Sequence, residues 1–294
     1  MGDFLFSNVF GKSKGFTLVE LIMVIVLLSA IGSMVSAVIV RPFTMYQDMS
    51  RRAQLVGLAE TAISRIVQDI DRAIPNSLRV TSLGNKHSLE LMSAFYGGRY
   101  RAAAEGGNAL DRLDVTASDN SFNIFAEFDA TIPTGTRLIV GPLSTALLYQ
   151  SAAQTDPLLQ KIVTPSDTQF DLTAQGNETQ IELIAADLSA KPFEFEQSSP
   201  RKRMFFTDSP ITYLCDEDTK TITRYSKYDV EETGSTTVPT SSTDALLIEN
   251  ALQCDFNYDP GSPQRNGVIT IALTVELDGE NVTLVRQVFV INAP

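Results

Sequence analysis

A single histidine, two cysteines and a shortage of positive charge set the first limits on this sequence of 294 residues. With His87 alone there is no histidine pair for zinc, and a Ser-His-Asp triad would rest on one residue in a predicted strand, where a hydrogen-bonded or solvated ring is the plainer reading. Cys215 and Cys254 give no metal-ligand spacing. Lys and Arg number 23 against 35 Asp and Glu, for a formal charge of -12. The one basic triplet, Arg201, Lys202 and Arg203, reads as a solvated loop, so nucleic acid, which needs clustered cations, is not an expected partner. No Walker, GxGxxG, GxSxG, HExxH or EF-hand pattern occurs. Asp216, Glu217 and Asp218 offer oxygens to Ca²⁺ without the loop spacing such a site needs, and solvated charge is the better reading. The chain is expected to be no enzyme and to need no cofactor or metal.

What is present is substantial. Hydrophobic residues make up 44% of the chain and charged ones 20%, enough for a packed core. From Phe16 to Val40 the sequence FTLVELIMVIVLLSAIGSMVSAVIV carries one ionisable side chain, Glu20. A helix of that length crosses the hydrocarbon core of a bilayer with some tilt. Lys12 and Lys14 precede it, which keeps the N-terminus cytoplasmic and exports the remainder. A secretory signal would place its cleavage site after the apolar run; here the polar stretch stops at Gly15 and the run begins at once. Glu20 sits where a carboxylate costs several kcal/mol by some scales and therefore wants a partner.

Beyond the run, Pro42 predicts a kink or local loosening near residues 41–43. Leu55, Val56, Leu58, Ala59, Ala62, Ile63, Ile66, Val67, Ile70 and Ile74 then recur at three- and four-residue steps. Glu60, Arg65, Gln68, Asp69 and Arg72 take the rest of the wheel, with Asp48–Arg52 and Arg65–Asp69 as exposed supports. One helix thus runs from the membrane to Ile74, ended by Pro75 and Asn76. After it, β-branched runs predict strands at 78–83, 89–93, 113–117, 122–128, 137–140, 180–184 and 204–206. Residues 97–111 and 228–244 read as exposed loops, the second with a flexible composition. Val268 to Leu277 and Val282 to Ile291 flank an Asp278-Gly279 pair that favours a tight hairpin turn. The expected fold class is α+β, a long N-terminal helix packed on a mainly antiparallel β head. Its boundaries are 1–15 for a leader, 16–40 for the spanning helix, 41–74 for its amphipathic half and 75–294 for the exported head. In that exported setting the two cysteines permit one disulfide, with two buried free thiols as the alternative.

The string KGFTLVELIMVIVLLSAIG resembles the class III leader of type IV prepilins and type II secretion pseudopilins. The resemblance implies cleavage after Gly15 by a membrane-embedded prepilin peptidase, N-methylation of the new N-terminal Phe16, a second-position Thr17 and a fifth-position Glu20. Glu20 would pair with the Phe16 amine of a neighbouring subunit. Many type IV pilins also close a loop near the C-terminus with one disulfide, which Cys215 and Cys254 would match. In that family a proline often lies earlier in the helix than Pro42. The helix end LAETAISRIVQDIDRAIPNSLRV looks like that of J-type pseudopilins and corresponding minor pilins. The segments GGRYRAAA, CDFNYDPGSPQRNGVITIALTV and VRQVFVINAP are similar to O-type minor pilins of the mannose-sensitive haemagglutinin pilus system.

The resemblance implies a minor pilin that sits in the bacterial inner membrane with a periplasmic head, is processed, and joins other minor and major pilins through their N-terminal helices to initiate or cap a surface pilus. Removing residues 1–15 makes the mature chain still more acidic, and a self-repelling head favours a scarce or terminal subunit over a repeated one. The competing readings are a J-like pseudopilin of type II secretion, a tip adhesin using the 97–111 and 228–244 loops, and a plain bitopic anchor whose Gly15 is never cut.

Overall fold

The computed structural model describes residues 15–103, 112–116, 119–128, 131–154, 162–184, 193–261 and 265–290. The expected leader, Met1 to Lys14, lies outside them, as do parts of the 97–111 loop. The chain divides into two compact units, 1–53 and 54–294.

Helix α1 spans Leu18–Asp71. Its backbone continues through Pro42, so the expected loosening there does not break the helix, and the proline costs one intrahelical bond. Within the second unit α1 buries Leu55, Ala59, Ala62, Ile63, Ile66 and Ile70, the predicted stripe. Two positions depart from it. Leu58 is exposed, and Asp69, assigned to the wet face, is buried. The helix also stops at Asp71, short of Ile74. Pro75 disfavours helical backbone in the residue before it, and the Ile74 amide donates instead to the Met92 carbonyl at 2.8 Å.

The helix packs in one core with two antiparallel sheets. The larger contains β1 (Arg79–Leu83), β2 (Lys86–Met92), β9 (Pro210–Asp216), β10 (Thr221–Ser226) and β11 (Thr243–Glu249), in that order. The smaller orders β12 (Ala251–Asp259), β13 (Gly267–Leu277) and β14 (Glu280–Val290). The β13–β14 hairpin forms as its sequence predicts: Leu277 pairs with Glu280, and Asp278 and Gly279 both have positive φ, the requirement of a two-residue I′ turn. A disulfide joins Cys215 of β9 to Cys254 of β12, with their Cα atoms 6.4 Å apart, and so staples one sheet to the other.

Between β2 and β9, which are hydrogen-bonded neighbours, residues 93–209 leave the sheet and return to it, Met92 standing opposite Pro210. This insertion is a lobe with two three-stranded sheets. One orders β3 (Tyr96–Arg99), β8 (Arg203–Thr207) and β5 (Arg137–Val140); the other orders β4 (Ser121–Ile124), β7 (Glu178–Ile184) and β6 (Gln169–Gln175). Tyr100, Phe122, Leu138, Ile181, Met204 and Phe206 form its own core. A third cluster, in which Ile74 and Met92 meet Ile139, Tyr149 and Val163, ties the lobe to the helix-and-sheet layer. Helix α2 (Thr145–Ala153) belongs to that cluster, and the Ser144 hydroxyl caps it by accepting from the Leu147 amide.

Three local expectations are corrected. Residues 113–116 form no strand, because the Asp114 carboxylate accepts from the Thr116 amide and hydroxyl and turns the chain. The 122–128 strand ends at Ile124. Gly97 and Gly98, read as loop, lie in β3; a Cβ on Gly97 would stand 3.0 Å from the Phe205 ring of the paired strand, a tight approach that the glycine relieves.

Candidate assembly site

The first unit presents its chemistry at the start of α1. Thr17 is the residue before the helix: its carbonyl accepts the first intrahelical bond from Leu21 at 3.1 Å, and its hydroxyl accepts from the Glu20 amide at 3.3 Å. Thr17 is therefore an N-cap, and Thr-Leu-Val-Glu has the spacing of a capping box. That role was open to the sequence, since Thr17 is followed three residues later by Glu20 at the head of the apolar run. Glu20 falls in the first turn, at the positive end of the helix dipole, which lowers the cost of its carboxylate. Phe16 is 80% exposed, and a Cβ on Gly15 would meet nothing within 4 Å. Neither crowding nor a positive φ demands glycine at 15. From Leu18 to Ser36 the helix has a mean hydropathy of 2.5 and no buried residue, which suits a single-pass inner-membrane anchor.

In the second unit, charge is used to fix elements. The Asp69 carboxylate accepts from the Tyr213 hydroxyl at 2.6 Å and from Arg224 Nε at 2.8 Å, with Arg65 at 3.6 Å. A carboxylate near a helix C-terminus opposes the dipole, and these partners on β9, β10 and α1 offset that cost. Burial, followed by its bond to Asp69, raises the Tyr213 pKa well above its ordinary value, so the hydroxyl stays a donor. Arg79 holds Glu90 through Nε and Nη2 at 2.9 and 3.0 Å, stacks over the Tyr149 ring of α2, and donates to the carbonyls of Glu231 and Glu232. Burial raises the Glu90 pKa and Arg79 works against it.

Those contacts dock the 228–244 segment. It lacks regular structure up to Ser242, as expected, yet Tyr228 is buried and bonds Thr212, and a Cβ on Gly234 would strike the Thr81 hydroxyl. The acidic trio is likewise engaged. Asp216 pairs with Lys86 at 2.9 Å, Glu217 accepts from the Cys254 amide, and Asp218 accepts from Asn85. Among the described residues no group of three or more His, Cys, Asp and Glu is arranged for a metal. His87 contacts Ser82 at 3.0 Å and lies 3.7 Å from Glu217 on a strand surface.

No curated protein and no solved structure matches the chain. Residues 11–36 match the prokaryotic N-terminal methylation motif, which supports a type IV pilin-like chain: a prepilin-type leader, a single apolar anchor helix and an α+β head.

Proposed function

We propose that this protein is a minor type IV pilin that initiates or caps a pilus of the mannose-sensitive haemagglutinin type. The observation that carries the pilin reading is the methylation motif placed on a capped apolar stretch, exposed from Leu18 to Ser36, with Glu20 in its first turn; the pilus type rests on the resemblance of the segments that begin at Gly97, Cys254 and Val285. Cleavage after Gly15 leaves an ammonium on Phe16, at the end of α1 where the dipole is already positive. That charge needs a carboxylate, and Glu20 of an adjacent subunit supplies one in a medium that screens little. The pairing sets the axial register of one helix against the next. Other minor and major pilins are the partners, the prepilin peptidase and its methyltransferase activity the processing enzyme, and the location the inner membrane and then the pilus. The role is structural.

The inserted lobe favours a terminal position, since a bulky addition to an acidic head is tolerated most easily where no further head is added above it. The same feature keeps two relatives of this reading in play, a J-like pseudopilin at the tip of a secretion pseudopilus and a tip adhesin.

Intact mass of the protein from cells with and without prepilin peptidase, together with a Gly15→Val variant, tests the proposal. A mass matching residues 16–294 plus one methyl, present only with the peptidase and an intact Gly15, is expected. An uncut chain in every strain would overturn it.

A further inference from the structure

The pilin reading leaves unused a polar cleft of about 640 Å³ at the base of the lobe, lined by Thr134, Arg137, Asp167, Asp208, Lys227 and Asp229 among others. Its volume is that of a small-molecule site. Strand β5 contributes Arg137, and the segment after β10 contributes Lys227 and Asp229, so lobe and sheet each form one wall.

Arg137 is the unusual member. Three other arginines of the head that are largely withdrawn from solvent each meet a carboxylate: Arg79 has Glu90, Arg224 has Asp69, and Arg101 has Glu178. Arg137 makes one long bond, Nη1 to the Thr164 carbonyl at 3.4 Å, and no described carboxylate stands within ion-pairing distance. Burial lowers its pKa, while Asp229 and Asp167 act on it from farther away. A partly desolvated guanidinium with free donors is unfavourable until an oxygen anion meets it. Two cations, Arg137 and Lys227, stand around the cleft with three aspartates, Asp167, Asp208 and Asp229, and this balance narrows the choice. A dianion such as phosphate would be repelled by the aspartates, and a neutral sugar would bring Arg137 no charged acceptor within hydrogen-bond distance. A ligand with one carboxylate and one ammonium satisfies both signs.

We propose that this cleft binds a small zwitterion of the α-amino acid or dipeptide class, its carboxylate on Arg137 and its ammonium facing Asp167 and Asp229. Thr134, Ser166 and Ser209 hydroxyls at the same cleft offer the remaining hydrogen bonds.

Calorimetric titration of the full chain in detergent micelles with L-alanyl-L-alanine tests the assignment. Saturable binding is expected, weakened about tenfold or more by N-acetylation or C-terminal amidation of the dipeptide, since each removes one charged contact. Arg137→Gln should abolish it. Asp229→Asn changes an exposed side chain and should weaken it while leaving the thermal melt in place, which keeps the test valid if Arg137→Gln fails to fold. No saturable binding, equal binding of the blocked dipeptides, or wild-type affinity in Asp229→Asn would each overturn the proposal. None of these outcomes depends on Gly15 cleavage, so the cleft and the pilin reading fail separately.

Discussion

Helix α1 holds two stretches that differ in what they were built to meet. From Leu18 to Ser36 apolar side chains cover every face and none is buried; from Leu55 to Ile70 they keep to one stripe and most of that stripe is covered by sheet. Uniform hydrophobicity suits a solvent that is itself apolar on all sides, and a stripe suits a helix with water on one flank. One carboxylate in each stretch follows the same division. Glu20 is exposed and finds no side-chain partner among the described residues, whereas Asp69 is enclosed by Tyr213, Arg224 and Arg65. The second charge is met inside this molecule, and the first is the one that the proposed pairing assigns to a neighbour.

Replacing Glu20 by leucine breaks that comparison most directly. Incorporation into sheared filaments should fall about tenfold or more, because the unpaired Phe16 ammonium then stays in the bilayer interior, while the thermal unfolding of the head does not move. Unchanged filament content would refute the pairing. Ile66→Ala should cost the head roughly 2 to 5 kcal/mol, read as a lower denaturant midpoint, whereas Ile22→Ala should leave that midpoint where it is; equal effects would mean that the two stretches are not distinct. Reducing the Cys215–Cys254 bridge should cost about 3 kcal/mol, visible as a lower melting temperature in reductant with membrane insertion intact. Thr17→Ala, which removes a cap, should cost about 1 kcal/mol of local helix stability and show as faster amide exchange confined to the first turn of α1.

The legible parts of this protein are those whose physics is local. The leader motif, the amphipathic stripe and the Asp278-Gly279 turn each depend on residues a few positions apart; the first is matched in sequence over residues 11–36, and the other two stand in the structure where their residues put them. The Ser144 cap before an Ala-Leu-Leu run was a readable sign of α2 that periodicity over so short a stretch did not bring out. Strand β6 carried a short sign that went unread: Phe170, Leu172 and Ala174 alternate with Gln169, Asp171, Thr173 and Gln175, and Phe170 and Leu172 pack half-buried on the lobe core. Asp69 deceived because a wheel sorts residues by polarity, and its burial depends on Tyr213 and Arg224 far along the chain. The Arg137 cleft was invisible for the same reason, since residues around 135, 167, 208 and 228 converge only after the lobe has folded back on the sheet.

The meeting of Met92 with Pro210 has a consequence for the order in which the head assembles. The β2–β9 ladder cannot zip until the whole of residues 93–209 has been made and its two ends brought together, and closing so long a disordered loop opposes pairing at the centre of the main sheet. A lobe that folds first on its own core removes that barrier, because it delivers both ends side by side. The insertion then acts as a splint during folding, and pulse-labelled hydrogen exchange should find β5, β7 and β8 protected before β2 and β9; the reverse order would show that the sheet closes without it.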